Sequence, residues 1–221
     1  MTDFLYPFIE ADERDPSALL ADLARSAESK ATESAALATA TLDQAGAAIA
    51  EAATAMARRF AAGGRLFAFG NGGSSTDAAG VAALFLRPPA GRPLPAQSLA
   101  ADEAVLTALG NDVGFDLVFS RQLIAHGRPG DIALGLSTSG SSDNLIVAFA
   151  EARRRGLLTV GLAGFDGGRM AASNDVEHRV VVRSDSVHRI QEAQAAVVVA
   201  LWEGVHRALD AEVVGGHGRR P

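Results

Sequence analysis

At 221 residues the chain is long for an average domain, yet open α/β sheets of this size form around one core. Hydrophobic residues make up 48% and aromatics only 5%, so the core is expected to consist mainly of Ala, Val and Leu, and disorder is excluded over most of the chain. A balance of 26 acidic to 20 basic residues, without a run of Lys and Arg that forms a phosphate-backbone stripe, argues against direct nucleic-acid binding, and the lack of cysteine excludes disulfides, thiol nucleophiles and Cys-type zinc sites.

Residues 1–15 mix aromatics and acids around Pro7 without a clean period and read as an arm. The opening Met1-Thr2-Asp3-Phe4-Leu5 has neither the basic nor the apolar segment of a signal peptide, and no apolar run could span a bilayer, so a cytoplasmic protein without membrane contact is expected. Asp15-Pro16 reads as an N-cap and first helical residue, with Leu19, Leu20, Leu23 and Ala27 at helical spacing behind it. A second, Ala-rich helical stretch carries Ile49, Ala53, Met56 and Phe60 on one stripe and ends at Gly63-Gly64. Together these predict an N-terminal helical hairpin with a kink near Gly46.

From Arg65 onward strands and helices alternate. Strands are expected at 66–69, 97–100, 131–136, 157–162 and 176–182, and helices at 75–86, 102–110, 115–126 and 144–155, with a long terminal helix striped by Ile190, Val197, Leu201, Val205 and Leu209. Alternation of this kind implies an α/β fold with a mostly parallel central sheet, whose ligands bind beyond the carboxyl ends of its strands. One domain is expected over 16–212, with residues 213–221 as a flexible tail.

Two of the strand ends lead into unusual loops. Gly70-Asn71-Gly72-Gly73-Ser74 would let the backbone turn sharply and approach a ligand, with a helix N-terminus behind it; the alternative is a tight turn with no ligand. It is not a dinucleotide fingerprint, because the third glycine of that pattern is missing. Ser137-Thr138-Ser139-Gly140-Ser141-Ser142 brings hydroxyls, a glycine and a helix start together without Lys or Arg, which suits a phosphate monoester; the alternative is a helix start with surplus capping residues.

These loops, in order with Gly110-Asn111-Asp112, Phe165-Asp166-Gly167-Gly168 and Arg189-Ile190-Gln191-Glu192, resemble the sugar-isomerase (SIS) family, most closely its sedoheptulose 7-phosphate isomerase branch. The resemblance implies a three-layer, flavodoxin-like sandwich with an N-terminal helical hairpin, a phosphorylated sugar as ligand, and a homotetramer with sites between subunits. It assigns the phosphate to Ser137, Thr138, Ser139 and Ser142, and the sugar to Asn71, Gly72, Ser74, Asp112 and Gln191.

That branch carries His and Glu on the helix after the Gly-rich loop, and a further His on the last helix, where they serve acid–base chemistry and zinc. The matching positions here are Gly80, Leu84 and Val199, which leaves Gln191 alone of the expected zinc ligands, so no metal or other cofactor is expected. His188, which stands where the family has an Asp, and Glu192 are the candidates for a rewired acid–base pair; the alternative for His188 is a polar residue at a helix start. Two functions follow: a phosphoheptose isomerase with an altered acid–base set, or a non-catalytic phosphosugar-binding regulator resembling the DnaA initiator-associating protein.

Overall fold

The computed structural model describes residues 16–217; the expected arm, residues 1–15, and residues 218–221 lie outside the described residues. Its strands are β1 (Leu66–Gly70), β2 (Ala96–Ser98), β3 (Ile132–Ser137), β4 (Leu158–Gly164) and β5 (His178–Val182). All pair in parallel, in the order β2-β1-β3-β4-β5. Each lies within two residues of its expected place, because short Val-, Leu- and Ala-rich runs between turn residues can be buried on both faces.

Successive strand residues face opposite layers. Leu66, Ala68, Ile132, Leu134, Leu136, Val160 and Leu162 pack with α1 (Pro16–Ala61), α2 (Gly73–Leu86) and α7 (Val187–His217). Phe67, Phe69 and Ala133 turn the other way, toward α4 (Val118–His126), α5 (Asp143–Arg154) and α6 (Gly168–Ala172). The remaining helix, α3 (Glu103–Asp112), starts on an Asp102 side-chain cap and leads into a 3-10 turn at Phe115–Leu117. The result is the expected three-layer sandwich.

The N-terminal element departs from expectation. Among the described residues no N-terminal hairpin forms: α1 is one continuous helix of 46 residues, and Gly46 lies inside it without a break. A single glycine costs a helix only about 1 kcal/mol, and the strong helix formers around it, Ala, Leu and Glu, carry the backbone through. Only the second half of α1 enters the core, through Ile49, Ala52, Ala53, Met56, Ala57 and Phe60. It ends as expected at Gly63, in the left-handed conformation at φ 87°, with Gly63 and Gly64 N–H groups bonded to the Phe60 and Arg59 carbonyls. At the other end of the chain α7 reaches His217, into the stretch expected to be a tail.

His206 is buried between the Trp202 and Arg92 carbonyls, each 3.0 Å from a ring nitrogen, and ties the proline-rich loop before β2 to α7. The Arg153-Arg154-Arg155 run closes α5 as an ordered helix end: Arg154 and Arg155 grip Glu151, and Arg153 pairs with Glu177.

Candidate functional site

The strand order reverses direction between β1 and β3, so the loops following these two strands flank a topological switch point, the place where open α/β sheets take their ligands. These are the Gly-rich and Ser-rich loops.

At the end of β3 the Ser137 side chain is buried, with its Oγ 3.4 Å from Ser139 Oγ and 3.5 Å from Ser142 Oγ. Ser142 occupies the N-cap position of α5 but makes no side-chain capping bond, while Ser139 Oγ accepts from Ser141 N at 3.3 Å. Three hydroxyls instead converge ahead of the first turn of α5, whose leading N–H groups have no intrahelical acceptor. Hydroxyl donors, free N–H groups and the positive end of the helix dipole make a place for an anion. Arg169, the nearest cation in the contacts of this loop, is paired with Asp143 and does not supply charge to the cluster.

The loop is held from behind. Gly140 adopts φ 62°, its carbonyl accepts from Met170 N at 2.7 Å, and its N–H donates to Ser137 Oγ at 3.0 Å. A Cβ on Gly140 would lie 2.1 Å from the Gly167 carbonyl oxygen, and one on Gly168 would lie 2.3 Å from Ser141 Oγ. Phe165-Asp166-Gly167-Gly168 is therefore the brace of the Ser-rich loop.

The Gly-rich loop is equally tight. A Cβ on Gly70 would come within 2.6 Å of the Ser74 carbonyl and 2.8 Å of the Leu136 carbonyl, and Gly72 precedes α2 at φ 55°. The Gln191 amide lies over Gly73, 2.6 Å from where a Cβ would stand, so a side chain there would have to push Gln191 aside. From there Gln191 Nε2 donates to Asp77 Oδ2 at 2.8 Å, so α7 is joined to α2 directly above the loop. Ser74 is buried at the start of α2.

The two loops are locked together by a residue that sequence reasoning missed. Asn71 Nδ2 donates to Asn144 Oδ1 at 2.8 Å, and Asn144 Nδ2 returns a bond to Asn71 Oδ1 at 2.9 Å. Asn144 is buried in the first turn of α5, immediately behind the hydroxyl cluster. Asn71 thus spends half of its amide capacity on the neighbouring loop.

Other expected residues are more dispersed. Asp112 is exposed at the end of α3, in contact with the Asn111 amide at 2.8 Å. His188 is exposed in the first turn of α7, and among the described residues no hydrogen bond joins it to Glu192. Glu192 is held by Arg189 and by Ser34 of α1, and Arg189 also donates to Ser34 Oγ at 2.8 Å. Gly80 has nothing within 4 Å of a notional Cβ, Leu84 is half-buried and Val199 is 45% exposed. Among the described residues no three His, Asp or Glu side chains gather as a metal cluster.

Residues 31–164 match the model of the SIS domain. The chain belongs to the SIS domain family. Among its relatives, the phosphoheptose isomerase of Sulfurimonas denitrificans is 51% identical over 130 residues, covering 58% of this chain and 66% of that protein, just under two thirds. The phosphoheptose isomerase of Shewanella loihica is 44% identical over 153 residues, covering 65% of this chain and 75% of its own. In three dimensions this SIS chain is similar to the phosphoheptose isomerase of Neisseria gonorrhoeae, with a TM-score of 0.77 at 34% identity over 83% of this chain and 98% of the other. The phosphoheptose isomerase of Francisella tularensis gives a TM-score of 0.77 at 32% identity.

Proposed function

We propose that this SIS protein binds a phosphorylated ketose with its phosphate on Ser137, Thr138, Ser139 and Ser142, and interconverts it with the aldose, sedoheptulose 7-phosphate being the substrate. The observation that carries the reading is the convergence of Ser137, Ser139 and Ser142 hydroxyls on the end of β3, tied to the Gly-rich loop through Asn71 and Asn144. The phosphoheptose isomerase names of the relatives supply the sugar. Gly72, Ser74 and Gln191 line the sugar side, and Asn71 positions the loop as well as facing the ligand.

The zinc that the family branch implies does not fit these residues. Gly80 offers no donor atom and Leu84 and Val199 are apolar, which leaves the neutral Gln191 amide oxygen as the single donor among those four positions. Proton transfer in this chain therefore proceeds without that metal. We also propose a homotetramer with sites at its interfaces, consistent with the exposed Leu20 and Leu23 on the outer half of α1, and a cytoplasmic location.

A second reading has its own support. Glu192, one of the two acid–base candidates, is engaged by Arg189 and Ser34, which favours a phosphosugar-binding regulator that does not turn its ligand over. Incubating the full chain with sedoheptulose 7-phosphate and following the aldose by NMR separates the two. Conversion supports the isomerase; saturable binding with no conversion overturns it in favour of the regulator. If conversion occurs, unchanged rates in His188→Ala and Glu192→Gln remove that pair from the mechanism.

A further inference from the structure

An aldose–ketose interconversion needs a base that can reach both C1 and C2 of the sugar. Most carboxylates near the two loops are already engaged: Glu192 by Arg189 and Ser34, Asp143 by Arg169, and Asp166 by the Gly168 N–H at 3.0 Å. Asp112 stands at the exposed end of α3.

Asp77 differs in each respect. It is half-buried on α2, and its one hydrogen bond among the described residues is the 2.8 Å bond from Gln191 Nε2 to Oδ2. Among the described residues no cation pairs with it, and Oδ1 is left to meet a ligand. Residues 73, 77, 80 and 84 recur at helical spacing, so Gly73, Asp77, Gly80 and Leu84 form one stripe of α2. That stripe begins inside the Gly-rich loop, which Asn71 and Asn144 tie to the hydroxyl cluster. Asp77 lies about one helical turn, roughly 5.4 Å, farther along it. The next position is Gly80, where a Cβ would meet nothing within 4 Å, so open space adjoins the carboxylate.

We propose that Asp77 is the proton-transfer group of this chain, held in place by Gln191. The assignment rests on the isomerase reading above. The Asp77 carboxylate takes a proton from C1; the C–H electron pair becomes the C1=C2 bond, and the C2 carbonyl pair moves onto O2. The O1 hydroxyl proton passes to O2. Electrons from O1 then form the C1 carbonyl while the C1=C2 pair takes the proton back from Asp77 at C2, so the aldose forms without oxidant, reductant or metal.

The test compares the full-length wild type with Asp77→Asn and Asp77→Glu on sedoheptulose 7-phosphate in D2O, with and without EDTA. Asparagine matches aspartate in shape and can still accept from Gln191, so a purely structural role would survive the change. The expected result is EDTA-insensitive turnover by the wild type with deuterium appearing at C2. Asp77→Asn should lower kcat by about a hundred- to ten-thousand-fold with phosphosugar affinity kept, and Asp77→Glu should restore part of the rate. Wild-type turnover with an unchanged rate in Asp77→Asn overturns the Asp77 assignment alone. Loss of phosphosugar binding in Asp77→Asn would make the residue structural and also overturn it. No wild-type turnover overturns the isomerase reading, and Asp77 as base falls with it.

Discussion

The two sides of the candidate site are furnished very differently. Around the end of β3 nearly every polar group has a defined place: three serine hydroxyls converge, Gly140 is braced by Gly167 and Gly168, and Asn144 locks the neighbouring loop. Between α2 and α7 the side-chain hydrogen bond among the described residues is the single one from Gln191 to Asp77, and Gly80 and Leu84 follow Asp77 along its stripe of α2. Holding an anion requires many fixed donors, whereas moving a proton requires one well-placed base. A chain can therefore keep the first side complete while the second is pared to a single carboxylate, so ligand class and turnover must be tested separately.

The largest effect should come from the furnished side. Removing two hydroxyls with Ser137→Ala and Ser139→Ala deletes hydrogen bonds to a charged group worth about 1.5–3 kcal/mol each, so phosphosugar affinity by calorimetry should fall roughly a hundred- to ten-thousand-fold with the fold intact. Next comes the lock between the loops. Asn144→Leu leaves the Asn71 amide without its partner and should destabilise the chain by about 1–3 kcal/mol in urea unfolding while weakening phosphosugar binding. Adding Asn71→Leu should recover part of the stability, and a strictly additive double-mutant cycle would contradict the lock.

Gly168→Ala should act more gently. At φ 50° and with a Cβ 2.5 Å from the Ser139 carbonyl, it must shift the brace, costing about 1–2 kcal/mol and weakening phosphosugar binding; an unchanged affinity would separate the brace from the site. The smallest effect lies far from the site. The Glu151 carboxyl is held below its usual range mainly by the Arg154 hydrogen bond, with burial opposing it and Arg155 helping. Its contribution to stability is present above the ordinary carboxylate range and fades as pH falls through the depressed value. Wild type should exceed Glu151→Gln in stability near neutral pH, and the gap should close on acidification; a gap that widens in acid would reverse the sign.

Much of this was legible in the sequence where local chemistry decides the outcome. Strand boundaries follow short apolar runs between glycine-rich turns, and the Ser-rich loop announces itself by composition. What the sequence did not reveal depends on tertiary packing. Asn71 meets Asn144 across 73 residues, and Gln191 meets Asp77 across 114, with nothing in either local pattern to show the pairing. The support that Gly167-Gly168 gives the Ser-rich loop is likewise a tertiary contact. The hairpin expectation fails for the opposite reason: a hairpin kinked near Gly46 is expected, while the helix formers on both sides outweigh one glycine and carry α1 through unbroken.

The most direct test of the central claim compares calorimetric titrations of the full chain with sedoheptulose 7-phosphate, with unphosphorylated sedoheptulose, and with the sugar phosphate on the Ser137→Ala, Ser139→Ala variant. Saturable binding of the phosphorylated sugar alone, lost in the double variant, is the predicted result. Equal binding of both sugars, or undiminished affinity in the variant, would contradict a phosphate site on the Ser-rich loop.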